Sequence, residues 1–170
     1  MSQPNLTQAQ VREMFSYAEG KLFWRKKTSR KTVIGSEAGT FRKSDGYRQI
    51  MLDRRVHRTH RLVYLYHHGW VPELIDHINQ NPNDNRVENL RPATRAENAY
   101  NCKLRLDNTS GVKGVTWCKN KRKWVARIYA EKMCINLGRF ADVKDAISAV
   151  IAARSKHHGA FASEGLCHNE

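Results

Sequence analysis

Two periods of hydrophobic and polar residues run along this chain, and the switches between them mark its elements. Leu6, Thr7, Gln10 and Val11 predict a helix start in which Thr7 caps, Gln10 reaches back and Leu6 staples onto Val11. Gly20 is expected to end that helix. From Lys21 the apolar pieces are short and broken by turn residues: positions 22–24, 33–35, 38–41, then 47–52 behind the turn at 44–46. This pattern predicts small antiparallel strands and hairpins. Leu62, Val63, Leu65 and Tyr66 then fall at helical spacing within 59–68, with Gly69 as the stop. Residues 71–90 are loop-rich, carrying Pro72, Pro82 and the run Asn79-Gln80-Asn81-Pro82-Asn83-Asp84-Asn85. Thr94 followed by Glu97 forms a capping box for the next helix.

Positions 102–110 are polar and without period, which predicts a linker. Residues 114–117, 123–129 and 133–140 alternate as three strands. In the middle one Trp124, Ala126 and Ile128 face a core while Lys123, Val125, Arg127 and Tyr129 take the opposite face. Asp142 caps a helix whose Val143, Ala146, Ile147, Val150 and Ala153 cover that core. Beyond Gly159 little remains to pack, and no internal repeat or low-complexity tract is present.

Composition narrows the function. The 170 residues are 40% hydrophobic and 27% charged with a mean hydropathy of -0.71. The longest nearly apolar run, 146–153, contains Ser148 and falls far short of a membrane span. The polar N-terminus lacks the pattern of a secretory signal, so an intracellular, cytoplasmic protein without a membrane partner is expected. Cys102, Cys118, Cys134 and Cys167 form no C-x-x-C pair and are expected as free thiols. The net charge of +14 is concentrated: residues 21–61 carry +10 and 111–140 carry +7, while the segments around them are each close to neutral. Two such blocks predict a nucleic acid contacted over two surfaces.

The candidate chemistry lies between them. Asp76-His77 precedes the asparagine-rich loop, with Asn89 twelve and Asn98 twenty-one residues after His77. A carboxylate and a carboxamide suit a hard divalent cation, and an imidazole suits proton transfer from water. By spacing alone, a surface dipeptide and loop-forming asparagines account for the pattern more readily.

His60-Arg61-Leu62-Val63, Ile75-Asp76-His77-Ile78-Asn79, the stretch 84–91 and Thr94-Arg95-Ala96-Glu97-Asn98 closely resemble the HNH endonucleases of phages and mobile introns. With Phe23-Trp24 and Gly46-Tyr47, the resemblance covers about residues 6–101. It implies a ββα-metal fold that cleaves DNA, with His77 as general base, Asp76 and Asn98 as ligands of Mg2+ or Mn2+, and Asn89 holding the loop and orienting His77. The last ligand position is Asn, as in the homing branch, which implies weak metal binding before DNA arrives. His60 and Arg61 are expected beside the DNA, the arginine on a phosphate.

Gly111-Val112-Lys113-Gly114-Val115, the stretch 123–128, Leu137-Gly138-Arg139-Phe140 and His158-Gly159-Ala160-Phe161 resemble the apetala-type DNA-binding domain of plant ethylene-response factors. That resemblance covers about 110–161 and implies a sheet laid in the major groove. Lys113, Thr116, Arg127, Tyr129 and Asn136 match its reading face, but several of the plant arginines are absent, so the plant target sequence does not carry over.

The expected protein is α+β: an HNH module with a basic N-terminal β extension at 1–105, a linker at 106–110, a three-stranded antiparallel sheet on one helix at 111–161, and a tail at 162–170. Its expected function is site-directed, metal-dependent nicking of double-stranded DNA to a 3′ hydroxyl and a 5′ phosphate, by a monomer with no small-molecule cofactor. The alternative is a non-cleaving DNA-binding regulator built on the same modules.

Overall fold

In the computed structural model, Thr7 accepts a hydrogen bond from the Gln10 amide while Gln10 caps the Thr7 backbone, and α1 (Gln8–Met14) starts there. The structure describes residues 6–102, 104 and 107–162. Lys103, Arg105 and Leu106 of the expected linker, and the tail from residue 163 with Cys167, lie outside the described residues.

Gly20 does not end a helix. α1 stops at Phe15, where β1 (Phe15–Ala18) begins and pairs antiparallel with β2 (Lys21–Trp24). Glu19 and Gly20 form the hairpin turn with φ of 47° and 81°, the doubly left-handed geometry of a two-residue connection. A Cβ at Gly20 would also stand 2.6 Å from the Arg86 amide nitrogen, so glycine is required there twice over.

A second sheet follows, with β3 (Thr40–Phe41), β4 (Arg48–Leu52) and β5 (Arg55–Arg58) in that order. The segment 33–35 is a turn instead of a strand. Gly35 N donates to Trp24 O, and Val33 and Ile34 are left 64% and 62% exposed. α2 (Thr59–His68) buries Leu62, Val63, Tyr64 and Leu65, and Gly69 terminates it at φ 77°. Within the loop-rich stretch the structure forms β6 (Leu74–His77), paired with β7 (Leu90–Ala93). Val11, Phe15, Leu22, Ile50, Leu62 and Val63 form the centre of one continuous core.

Thr94 and Glu97 form the expected capping box for α3 (Arg95–Tyr100). β8 (Val115–Cys118), β9 (Lys123–Ala130) and β10 (Met133–Phe140) make an antiparallel sheet with β9 in the middle. α4 (Val143–His158), capped by Asp142, packs Ala146 and Val150 against Val112, Val115, Ala126 and Ile128. Phe161 and Ala162 are half-buried at a 3-10 turn, so these two described residues still pack past Gly159.

The chain divides into two compact units, Met1–Ala93 and Thr94–Glu170. The division comes earlier than the expected end of the first module because α3 joins the second unit. The Tyr100 ring stacks on His158 at 3.8 Å, and Arg154 donates to Tyr100 O. Residues 107–110 likewise belong to the second unit: Asn108 Oδ1 accepts from the amides of Ser110 and Gly111, and Ser110 Oγ donates to Val115 O. Among the described residues, no helix is long and apolar enough to cross a membrane.

Candidate functional site

β6 carries Asp76 and His77 side by side, each only 5% exposed. The hairpin register sets Asp76 across from Arg91 and His77 across from Leu90. Asp76 Oδ2 accepts from Arg91 Nε at 2.8 Å and lies 2.7 Å from its Nη2, a nearly buried ion pair.

His77 Nε2 lies 3.2 Å from Oδ1 of Asn85, a side chain that is only 2% exposed. Asn85 Nδ2 points at Asn83 O, which leaves its Oδ1 as the acceptor. A carbonyl oxygen can only accept, so Nε2 carries the proton and Nδ1 the lone pair. Burial pushes the His77 pKa below its ordinary value, against the opposing pull of the Asn85 hydrogen bond and the Asp76 and Asp84 carboxylates. The ring is therefore held neutral, the state a proton acceptor needs.

Asn89 closes the loop that leaves β6. Its Oδ1 accepts from Asn79 N at 2.9 Å, and its Nδ2 donates to Asn79 Oδ1 at 2.9 Å and Asp84 O at 2.8 Å. The other asparagines of the run bond to backbone two residues on, Asn79 to Asn81 and Asn81 to Asn83, the local bonding that favours Asn in turns. Asp84 grips Arg86 at 2.7 Å, which holds its carboxyl down at about 2. The N-terminal extension supports this loop, for a Cβ on Gly46 would meet Pro82 at 2.8 Å.

The positions expected on DNA sort differently. His60 is 8% exposed and turned inward, with its ring 5.2 Å from those of Tyr47 and His77, and burial lowers its pKa to about 3. Arg61 donates to Glu73 O at 3.1 Å and Pro72 O at 3.0 Å, clamping the approach to β6. On α2, His60 shares its face with Val63 and Tyr64 and is carried into the core, whereas Arg61 stays partly exposed. His67, in the last turn of α2, lies 4.4 Å edge-on to Tyr17 with its pKa pushed down by burial.

Asn98 sits half-buried on α3, in the second unit. Lys113, Thr116, Arg127 and Tyr129 line one cavity of about 400 Å³ in that unit. Asn136 lies apart, on an exposed edge near Lys121, Lys123 and Arg139, where its Oδ1 accepts from Gly138 N across a bulge. Asn85 and Arg91 were invisible as site residues in sequence. Asn85 is one of four asparagines in seven residues, and the partner of Asp76 emerges only from the β6–β7 register.

Residues 57–100 match the HNH endonuclease family. Protein 3.8 of Escherichia phage T7 is 36% identical over 107 residues, which cover 62% of this chain and 88% of that protein. The chain belongs to the HNH endonuclease family. No solved structure matches it. The HNH span runs from β5 through α3 and takes in Asp76, His77, Asn85, Asn89, Arg91 and Asn98. HNH membership makes DNA the implied substrate and divalent metal ions the general cofactors of the reaction.

Proposed function

We propose that this chain is a site-directed, homing-type HNH endonuclease that nicks double-stranded DNA in the host cytoplasm, leaving a 3′ hydroxyl and a 5′ phosphate. The observation that carries the reading is the buried Asn85–His77 hydrogen bond, beside the Asp76 carboxylate and above the loop that Asn89 closes. His77 takes the proton of the attacking water at Nδ1, because Nε2–H is held by Asn85. Asn89 keeps the loop shaped so that Asn85 stays beneath the ring.

The donor chemistry suits Mg2+ or Mn2+: Asp76 offers a carboxylate, and the sequence resemblance assigns the carboxamide of Asn98 as its companion. When bound, such a cation polarises the phosphate and offsets charge on the departing 3′ oxygen. Arg91 already neutralises Asp76, in keeping with weak metal binding before DNA arrives. The second unit, with its three-stranded sheet on α4, is an apetala-type DNA-binding module that lengthens the contact and contributes site choice, and the protein acts as a monomer.

Conversion of supercoiled plasmid to open circles in Mg2+, and its loss with chelator, tests the reading. Plasmid left intact in Mg2+ and in Mn2+, with duplex still bound, supports the non-cleaving regulator. That alternative draws on the same Asp76–Arg91 pair, which occupies a carboxylate oxygen a metal needs.

A further inference from the structure

The pairing of β8 with β9 gives out at Gly114, whose carbonyl accepts the Arg127 amide at 2.8 Å. Beyond that point the edge of β9 is covered by a side chain. His158, at the end of α4, donates its Nε2 proton to Tyr129 O at 2.9 Å while its ring lies flat on Tyr100. Between these groups is the cavity of about 400 Å³, large enough for a small ligand.

Lys113, Arg127, Arg154 and His158 are among its lining residues, and no carboxylate is among the described ones. The Lys113 ammonium is fully buried and has no hydrogen-bond partner among the described residues. Burial lowers the Lys113 pKa, and the charge of Arg154 pushes it the same way. Arg154 is itself 5% exposed and spends one nitrogen on Tyr100 O. A buried ammonium without a partner among the described residues is costly, and an anion placed against it removes the penalty. The remaining walls are a stacked Tyr100–His158 pair and Ile128, surfaces suited to a flat ring.

We propose that this cavity binds a phosphate group carried by a nucleotide, with Lys113 and Arg154 on the oxyanion, the Thr116 hydroxyl beside them, and the aromatic wall against the nucleoside. The nucleotide carrier rests on the reading of the second unit as a nucleic-acid module, whereas the oxyanion site does not.

The test uses the full chain and Lys113→Met, which keeps the aliphatic stem. Inorganic phosphate, thymidine monophosphate, and duplex DNA with or without a 5′ phosphate are each titrated by calorimetry, with thermal unfolding alongside at matched ionic strength. Lys113→Met is expected to raise the ligand-free unfolding temperature by a few degrees, since it removes an unpaired buried charge, and to weaken phosphate binding at least tenfold. Lys113→Arg keeps the charge and retains binding. A duplex salt slope lowered by about 0.9 in Lys113→Met assigns the phosphate to DNA, whereas an unchanged slope with lost monophosphate binding assigns it to a free nucleotide. Phosphate binding without any duplex binding would overturn the nucleic-acid reading and leave the pocket standing. Equal binding of all four probes to wild type and Lys113→Met, or no phosphate binding to either, overturns the pocket whatever DNA does.

Discussion

His77 Nε2 and Asn85 Oδ1 meet at 3.2 Å inside the first unit, and that contact decides which imidazole nitrogen is left to accept a proton. Asn85→Ala frees the ring to turn and leaves a buried N–H unpaired. Cleavage is expected to fall roughly 10- to 100-fold, the scale of a misplaced catalytic group, while duplex affinity stays within a few fold. Asn85→Asp keeps an acceptor oxygen in the same place and should recover much of the loss. Equal defects in both variants, with intact circular dichroism, would make the contact merely structural.

The Asp76–Arg91 pair yields a test in which metal binding is read through stability. Removing one partner of a nearly buried ion pair costs about 3 to 5 kcal/mol because the other charge is stranded. Arg91→Gln should therefore unfold at lower temperature in chelator and recover in Mg2+ or Mn2+, as a cation takes the place of the guanidinium beside Asp76. Recovery equal to that of wild type on adding metal would place the cation elsewhere.

His60 sets a pH dependence of folding. Its pKa falls from the ordinary 6.5 unfolded to about 3 folded, so between those values the unfolded chain binds the extra proton. Stability from this group is full above pH 6.5 and is lost as pH falls toward 3. Linkage gives a loss of about 2 kcal/mol between pH 7 and pH 5. His60→Phe should flatten that part of the curve in thermal unfolding across pH 5 to 7, and an unchanged slope would contradict the buried neutral ring. His57, His67 and His158 are also lowered by burial and contribute the same sign, so a residual slope is expected.

Local signals were legible where a single turn of chain decides the outcome. Thr7 with Gln10, Thr94 with Glu97, and Asp142 all cap the helices they announce, and the alternation of Trp124, Ala126 and Ile128 identifies the covered face of β9. Gly20 was misread because a left-handed glycine ends helices and turns hairpins alike, and only the pairing of β1 with β2 separates the two. β6 and β7 have four residues each, too few to show a period. The motif positions stand out by residue type and spacing, but their supports do not. Arg91 acquires its role from cross-strand register, and His60 from the face of α2 that enters the core, neither of which a short window of sequence contains.

His77 carries the proposed proton transfer. Wild-type chain and His77→Ala are compared for nicking of supercoiled plasmid in Mg2+, with duplex affinity measured on the same preparations. Loss of a general base without loss of a phosphate contact predicts cleavage reduced about 100- to 10000-fold and affinity within a few fold. Cleavage by His77→Ala at the wild-type rate would contradict the assignment of the proton acceptor and the mechanism built on it.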